Sequence, residues 1–301
     1  MGTILVGTDD GLHTVGDGAA VALDGHAVGA LAGGDGSVWA VVDGREVRGG
    51  QGAFPERPAV PAPGLRLNCL AVAGGTVVAG TAEAHLLRLE GGELRRVEPF
   101  DQTEGRDGWY TPWGGPPDVR SIAVGSDGAL WVNVHVGGIP TSADGGLTWR
   151  PTIEVDADVH QVLVHPGDPA RVLAATARGL ADSSDGGRSW RFLTEGLHAV
   201  YCRAVALAGD TVAVSCSTGP RGGHAALYRR PLDAEPGAPF ERCQDGLPEW
   251  FQGNLDTACV AAAASTVAFG TADGEVFASE DVGVSWARVA DGLPPVRCLL
   301  V

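Results

Sequence analysis

Three arginines and one histidine open short apolar runs that recur along the chain. They are Arg120, His160, Arg203 and Arg297, and Asn68 opens another run of the same kind. Guanidinium groups bind carboxylate and phosphate groups through paired, charge-assisted hydrogen bonds. If the runs are neighbouring strands, these side chains meet at one end of them. The pattern therefore predicts a pocket that binds an anionic small molecule.

Aspartates two residues upstream of these positions allow a second interpretation. Asp118 lies two residues before Arg120, and Asp158 and Asp256 stand at the equivalent position of later runs. Buried charges need partners, and a ring of ion pairs satisfies the arginines without any ligand. Both interpretations stay open at the level of the sequence.

Three histidines from successive repeats are candidates for a metal site. His135 ends an apolar run, His160 opens the next one, and His198 lies in the loop before the run after that. Imidazole groups suit Zn, Cu, Fe or Ni as ligands. A histidine beside a carboxylate also serves as a general acid or base, with Asp158 orienting the ring. The catalytic candidates are therefore His160, His135 and Asp158, and the candidate metal ligands are His135, His160 and His198.

Two long segments that carry aromatic residues interrupt the repeat. Residues 99–117 include Trp109, Tyr110 and Trp113, and residues 231–254 form the second segment. Aromatic side chains above a polar cavity predict a lid that excludes water and contributes to substrate binding. The alternatives are a hydrophobic plug and a patch that binds a partner protein.

The recurring runs define units of about 40 residues, the length of a propeller blade. The innermost strand of each unit is predicted at residues 28–33, 68–74, 120–125, 160–165, 203–209, 258–263 and 297–301. A second apolar run follows each of the first six, and two shorter runs of alternating polarity complete four antiparallel strands. The sequence thus predicts an all-β protein, a seven-bladed β-propeller.

The two ends of the chain complement each other. Residues 4–8 have the pattern of a second strand with no first strand before it, and residues 296–301 have the pattern of a first strand. Their pairing removes free sheet edges. We expect the N-terminal strands to pair with the C-terminal strand, and residues 1–301 to form a single propeller domain.

A motif of the form Ser-x-Asp-x-Gly-x-Ser/Thr-Trp occurs three times, at residues 142–149, 183–190 and 279–286. It resembles the Asp-box, or bacterial neuraminidase repeat, of sialidase-like β-propellers, in particular their branch of bacterial repeat-containing proteins without an assigned reaction. The resemblance organises the chain from about residue 120 to residue 290. It implies that the boxes lie between outer strands, away from the usual ligand site. A turn carboxylate accepts backbone N–H groups, so the expected role of these aspartates is structural.

The resemblance does not extend to sialidase chemistry. The Arg-Ile-Pro type motif is absent, and none of the three tyrosines, Tyr110, Tyr201 and Tyr228, stands late in the chain where the sialidase nucleophile falls. Two functions remain. The first is an enzyme, a hydrolase or lyase with or without a metal, or a binder, acting on an anionic small molecule. The second is a scaffold that docks a partner protein on the same face.

The acidic composition disfavours several partners. The chain has 21 Lys and Arg against 37 Asp and Glu, a net charge of -16, which opposes binding to nucleic acid or an anionic membrane. No apolar run is long enough to span a bilayer. The six cysteines lack CxxC spacing and predict buried, reduced thiols, and no export signal opens the chain. We expect a soluble, cytoplasmic protein.

Overall fold

The computed structural model describes residues 2–16, 18–34, 36–50, 57–235 and 237–301. Helical structure within these ranges is confined to three short 3-10 helices, Glu98–Gln102, Arg106–Gly108 and Val155–Ala157. The strands of the same ranges form seven antiparallel sheets. The predicted all-β, seven-bladed β-propeller fold is confirmed.

The strands follow one another in short hairpins along the whole chain. Those before residue 125 are β1 (Ile4–Thr8), β2 (Gly11–Val15), β3 (Ala20–Ala22), β4 (Val28–Gly34), β5 (Ser37–Val42), β6 (Glu46–Gly50), β7 (Val60–Pro61), β8 (Leu67–Ala73), β9 (Thr76–Thr81), β10 (Leu86–Glu90), β11 (Glu93–Arg96) and β12 (Val119–Val124). Those between residues 130 and 217 are β13 (Leu130–Val134), β14 (Thr141–Ser142), β15 (Val159–His165), β16 (Asp168–Thr176), β17 (Gly179–Ser183), β18 (Arg191–Leu193), β19 (Tyr201–Ala208) and β20 (Thr211–Ser217). The remaining strands are β21 (Ala226–Pro231), β22 (Glu241–Arg242), β23 (Val260–Ala263), β24 (Thr266–Gly270), β25 (Val276–Ser279), β26 (Ala287–Ala290) and β27 (Val296–Leu300).

Each sheet is built from strands that are consecutive in the sequence, apart from the one that contains both chain ends. The sheet orders are β4-β5-β6-β7, β8-β9-β10-β11, β12-β13-β14, β15-β16-β17-β18, β19-β20-β21-β22, β23-β24-β25-β26 and β27-β1-β2-β3. The innermost strands start within two residues of the predicted positions. Their apolar runs predict these strands correctly because each innermost strand pairs with the second strand of its sheet, and these second strands, such as β9 and β13, are largely buried.

One blade has a reduced outer strand. In the sheet of β12, β13 and β14 the fourth strand is a single bridge, in which Thr141 and Arg150 exchange two backbone hydrogen bonds of 2.9 and 3.0 Å. Pro151 follows directly, and it has no N–H group to continue a ladder.

The strand pairing that joins the two chain ends is present. Strand β27 pairs antiparallel with β1, with Leu5 opposite Leu300, Val6 opposite Leu299 and Gly7 opposite Cys298. The predicted closure by the N-terminal and C-terminal strands is therefore confirmed. The pairing satisfies backbone groups that a free edge would leave exposed.

The chain divides into two compact units. Unit 1 consists of Met1–His26, Ala175–Ala181 and Phe192–Val301, and unit 2 consists of Ala27–Ala174 and Asp182–Arg191. That residues 1–301 form a single domain stays a prediction.

Each unit has its own apolar clusters. In unit 1, Phe269 is fully buried, and its ring centroid lies 5.3 Å from that of Phe251 and 5.1 Å from those of Phe277 and Trp286. In unit 2, Val119 and Val134 are fully buried in a cluster that also contains Phe100. All six cysteines belong to the described residues and are buried thiols, as predicted.

The three Ser-x-Asp motifs form the same hydrogen-bonded turn. Ser183 ends β17 and donates its hydroxyl hydrogen to Oδ1 of Asp185 at 2.9 Å. Asp185 also accepts bonds from the N–H groups of Arg188 and Ser189 and from the Ser189 hydroxyl. These bonds, led by that of the Ser189 hydroxyl, lower the pKa of Asp185 to about 2. Asp144 and Asp281 have equivalent partners, so these carboxylates close turns.

Candidate functional site

Two histidines and an aspartate of unit 2 converge at the ends of two strands. His135 directly follows β13, Asp158 directly precedes β15, and His160 is the second residue of β15. The Nε2 atoms of His135 and His160 lie 3.0 and 3.6 Å from Oδ1 of Asp158. One ligand atom from each of the three residues lies within 4.8 Å of the other two.

The backbone at Asp158 brings the carboxylate to the two imidazoles. Asp158 caps the short helix Val155–Ala157 with a φ of 50°, in the left-handed region. Aspartate is one of the few residue types that visit this region, and residues held there cluster at functional sites. The chain turns sharply at this residue and enters β15, so Asp158 and His160 stand two residues apart beside His135.

The cluster is largely removed from water. The side chains of His135 and His160 are 2% and 0% exposed, and that of Asp158 is 22% exposed. Burial raises the pKa of the Asp158 carboxyl, but close contact with His135 and the charges of His160 and Arg120 outweigh it and lower the pKa below its usual value. Asp158 is therefore anionic at neutral pH.

This donor set fits a transition metal. Two imidazole nitrogens and one carboxylate oxygen are a common three-ligand set for zinc and for non-haem iron, and they leave coordination positions open. Oδ1 of Asp158 is buried and has no hydrogen-bond partner within the described residues, although His135 Nε2 is 3.0 Å away. A cation between these atoms would satisfy Oδ1 of Asp158, which has no hydrogen-bond partner within the described residues.

Three further side chains surround His135. Oδ1 of Asp118 lies 3.6 Å from Nδ1 of His135 and 3.8 Å from Nε of Arg120. The indole ring of Trp113 lies 4.9 Å from the His135 imidazole and 6.0 Å from the Arg120 guanidinium carbon. Trp113 is 67% exposed. The carboxylate of Asp118, the guanidinium of Arg120 and the exposed indole of Trp113 therefore lie next to the cluster.

The aromatic residues of 99–117 divide between the core and the surface. Trp109 is buried, and its ring packs 5.7 Å from Phe100, with Arg106 stacked on it at 5.0 Å. Tyr110 is exposed, and its hydroxyl donates a hydrogen bond of 3.3 Å to Asp156. Tyr110 and Trp113 are therefore the surface aromatics of this segment, whereas Trp109 belongs to the core.

The other two predicted arginines belong to unit 1, and each contacts an aspartate. Arg203 lies 2.8 Å from Asp256, and Arg297 contacts both carboxylate oxygens of Asp9 at 2.5 and 2.6 Å. These contacts correspond to the ion-pair interpretation of the sequence.

The remaining predicted site residues have protein partners as well. Nδ1 of His198 lies 2.7 Å from the hydroxyl of Tyr228, and its ring lies 4.7 Å from that of Trp250, in unit 1. Burial lowers the pKa of His198. The amide of Asn68 donates a 3.3 Å hydrogen bond to the carbonyl of Val119. His198 therefore belongs to a different cluster from His135 and His160.

Sequence reasoning placed Asp118 beside arginine and missed its contact with His135. The signal was the repeat itself, because Asp118 and Asp158 precede successive innermost strands at the same offset. His135 ends the strand between them. Two equivalent carboxylates therefore flank one imidazole.

Comparisons with known proteins identify the fold. No protein-family model matches the chain, and a search of the curated proteins finds no match. The chain is similar to the computationally designed protein Ika8, with a TM-score of 0.63, 15% identity and coverage of 98% of this chain and 86% of that one. It is also similar to YCF48 bound to D1 peptide, with a TM-score of 0.55, 14% identity and coverage of 79% and 76%.

A protein of unknown function from Bacteroides caccae is similar too, with a TM-score of 0.50, 11% identity and coverage of 75% of this chain and 89% of that one. At such identities the likenesses show the fold alone. The chain is a seven-bladed β-propeller, and the comparisons add no support for the sialidase-like resemblance. No helix among the described residues is both long and apolar enough to cross a membrane.

Proposed function

We propose that this propeller binds a divalent transition metal through His135, Asp158 and His160, and uses it to bind or hydrolyse a small anionic molecule. The observation that carries the proposal is the convergence, within 4.8 Å, of ligand atoms from two buried histidines and one partly buried aspartate. Zinc and iron suit the two-histidine, one-carboxylate set best, and copper and nickel also accept imidazole ligands. A hydrolase or a lyase fits such a site.

The chain supplies the groups around the reacting centre. When bound, a metal with open positions supplies Lewis acidity and a water of lowered pKa. The carboxylate of Asp158 would offset part of the charge of the cation. Arg120, 17% exposed and beside the cluster, is the group that contacts an anionic substrate, and Trp113 covers the cluster from the solvent side.

Arg203 and Arg297 within unit 1, and Asn68 within unit 2, are further candidates for contact with an anion. The two arginines are candidates on one condition. An anion that binds Arg203 must compete with Asp256, and one that binds Arg297 must compete with Asp9. A phosphate group carries more negative charge than a single carboxylate and also binds arginine in bidentate fashion. We therefore expect it to compete better than a carboxylate for these arginines.

Elemental analysis of the purified, untagged protein tests the metal site. We expect one zinc or iron per chain, retained on dialysis and lost in the His135→Ala/His160→Ala variant. The matched control is His198→Ala, which removes a histidine of the other cluster and should keep the metal. Wild-type protein that stays free of metal after incubation with Zn²⁺, or with Fe²⁺ under reducing conditions, would refute the proposal. Loss of metal in His198→Ala would make His198 a ligand.

The second candidate function is docking of a partner protein. Trp113 and Tyr110 are 67% and 46% exposed, and large exposed aromatics are enriched at protein interfaces. The structure of YCF48 holds a peptide, so a propeller of this fold binds one. A displayed peptide library selected on the wild-type protein and rescreened on Trp113→Ala tests this function. Peptides that lose binding to Trp113→Ala, while metal content is unchanged, favour docking.

A further inference from the structure

Beside the cluster of His135, Asp158 and His160, two buried polar atoms face each other without a hydrogen bond. They are Nδ1 of His135 and Oδ1 of Asp118, 3.6 Å apart. Both atoms are shielded from solvent, and neither has a hydrogen-bond partner within the described residues. Buried polar groups are normally hydrogen-bonded, so a facing pair without a bond needs a physical reason.

The position of the imidazole proton supplies that reason. A neutral histidine carries one proton, on Nδ1 or on Nε2. Nε2 of His135 lies 3.0 Å from the carboxyl oxygen of Asp158, whereas Nδ1 lies 3.6 Å from that of Asp118, and the shorter distance favours a proton on Nε2. Nδ1 is then an acceptor that faces the carboxylate oxygen of Asp118, and two acceptors cannot form a hydrogen bond.

A metal on Nε2 reverses this arrangement. Nε2 then gives its lone pair to the cation, and the single proton of His135 must reside on Nδ1. Nδ1–H faces Oδ1 of Asp118 and needs to approach it by less than 1 Å to reach about 2.8 Å, the length of a charge-assisted hydrogen bond. Metal-ligating histidines typically donate their other N–H to such a carboxylate.

The backbone holds the two residues in register for this bond. The N–H of His135 donates to the carbonyl of Asp118 at 2.9 Å. Val119 and Val134, the neighbours of these residues, are opposite each other in the β12–β13 pair. The Asp118 and His135 side chains therefore stay side by side whichever nitrogen of the ring is protonated.

Resting on the proposed metal site, we propose that Asp118 is its positioning residue, which accepts Nδ1–H of His135 and fixes the tautomer that leaves Nε2 free for the metal. Asp118 does not touch the metal. It acts through His135 by orienting the ring and by raising the basicity of Nε2.

Zinc affinity of three variants tests the role of Asp118. Competition with a chromophoric chelator should show a loss of about 10- to 100-fold in Asp118→Ala. The loss should be smaller in Asp118→Asn, because the amide oxygen still accepts the N–H but carries no charge. The control is Asp256→Ala, which removes an aspartate that pairs with Arg203 in unit 1 and should bind zinc as the wild type does.

The protonation of His135 gives a readout that a merely structural role would not change. In ¹⁵N NMR spectra of the wild-type protein, zinc should move the His135 proton from Nε2 to Nδ1. In Asp118→Ala, this Nδ1–H should exchange faster with water. If Asp118→Ala does not fold, as judged by circular dichroism, the zinc affinity of Asp118→Asn and the NMR spectra of the wild-type protein test the role of Asp118 instead.

The outcomes separate this inference from the proposed function. Wild-type protein that binds neither Zn²⁺ nor Fe²⁺ overturns both. Zinc binding that is equal in the wild type, Asp118→Ala and Asp118→Asn overturns the role of Asp118 and leaves the metal site intact. Zinc-bound protein in which His135 keeps its proton on Nε2 overturns the role of Asp118 and also removes Nε2 of His135 from the proposed metal ligands.

Discussion

Gly80 in β9 provides the space that strand β12 occupies beside the candidate site. A Cβ atom added at Gly80 would lie 2.7 Å from Cβ of Val119 and 2.7 Å from Sγ of Cys69, against at least 3.4 Å in ordinary contact. Gly80 does not adopt a positive φ, so alanine is opposed here by lack of space and not by backbone conformation. Cγ1 of Val119 would lie closer still, so we expect Gly80→Ala to displace Val119 by at least about 0.7 Å.

That displacement should reach the candidate metal ligands. Val119 lies between Asp118 and Arg120 and is opposite Val134, the residue before His135. Metal sites tolerate ligand distances within about ±0.2 Å. Because the displaced strand carries Asp118, Gly80→Ala should weaken zinc binding by about 10- to 100-fold, as the loss of an outer-shell partner does. Overpacking should also reduce the free energy of unfolding by about 1–3 kcal/mol.

Gly270→Ala is the matched control, because Gly270 has the same position in another blade. Its added Cβ would lie 2.8 Å from Cβ of Val296, the residue before Arg297. Urea denaturation should show a similar loss of stability in both variants, and chelator competition should show weaker zinc binding in Gly80→Ala alone. The reasoning is refuted if Gly80→Ala loses stability and binds zinc normally, or if both variants lose zinc affinity equally.

Three other predictions concern the turns, the thiols and the core. Hydrogen bonds within their turns lower the pKa of Asp144 and Asp185 to about 2 from 3.8. Because these folded-state pKa values are depressed, both carboxylates stabilise the fold above about pH 4 and lose this effect as the pH falls toward 2. The free energy of unfolding of Asp144→Asn/Asp185→Asn should therefore depend less on pH in that window than that of the wild type. An unchanged pH dependence would contradict this. Burial raises the pKa of Cys69 and Cys259 to about 12, so mass spectrometry should find both unalkylated by iodoacetamide in native protein at about pH 8 and alkylated in urea. Phe269→Ala should lower the free energy of unfolding by about 3–5 kcal/mol in urea titration, and a loss below about 1 kcal/mol would argue against the aromatic cluster.

The candidate site shows where sequence reasoning succeeds. Position along a strand follows from the repeat, because an apolar run marks the same strand of every blade. His135 and His160 were therefore assigned to strand ends correctly, and Asp158 was placed beside His160. The Ser-x-Asp turns were equally accessible, since every hydrogen bond of Asp185 to the motif spans at most four residues.

The inserted segments show where it does not. Residues 99–117 contain three aromatic residues of similar hydrophobicity, and no periodic pattern separates them. The structure buries Trp109 against Phe100 and exposes Trp113 at 67%. The path of a long insertion depends on what it packs against, and that information lies elsewhere in the chain.

The sequence by itself determined the number of blades, the order of strands and the closing of the chain ends, because apolar periodicity and turn residues act locally and repeat. Only the tertiary structure decided which side chains meet. In the structure, His135 and His160 lie beside Asp158, His198 contacts Tyr228, and Arg203 pairs with Asp256. Such partnerships depend on side-chain rotamers and on contacts between strands far apart in sequence, and no local pattern encodes them.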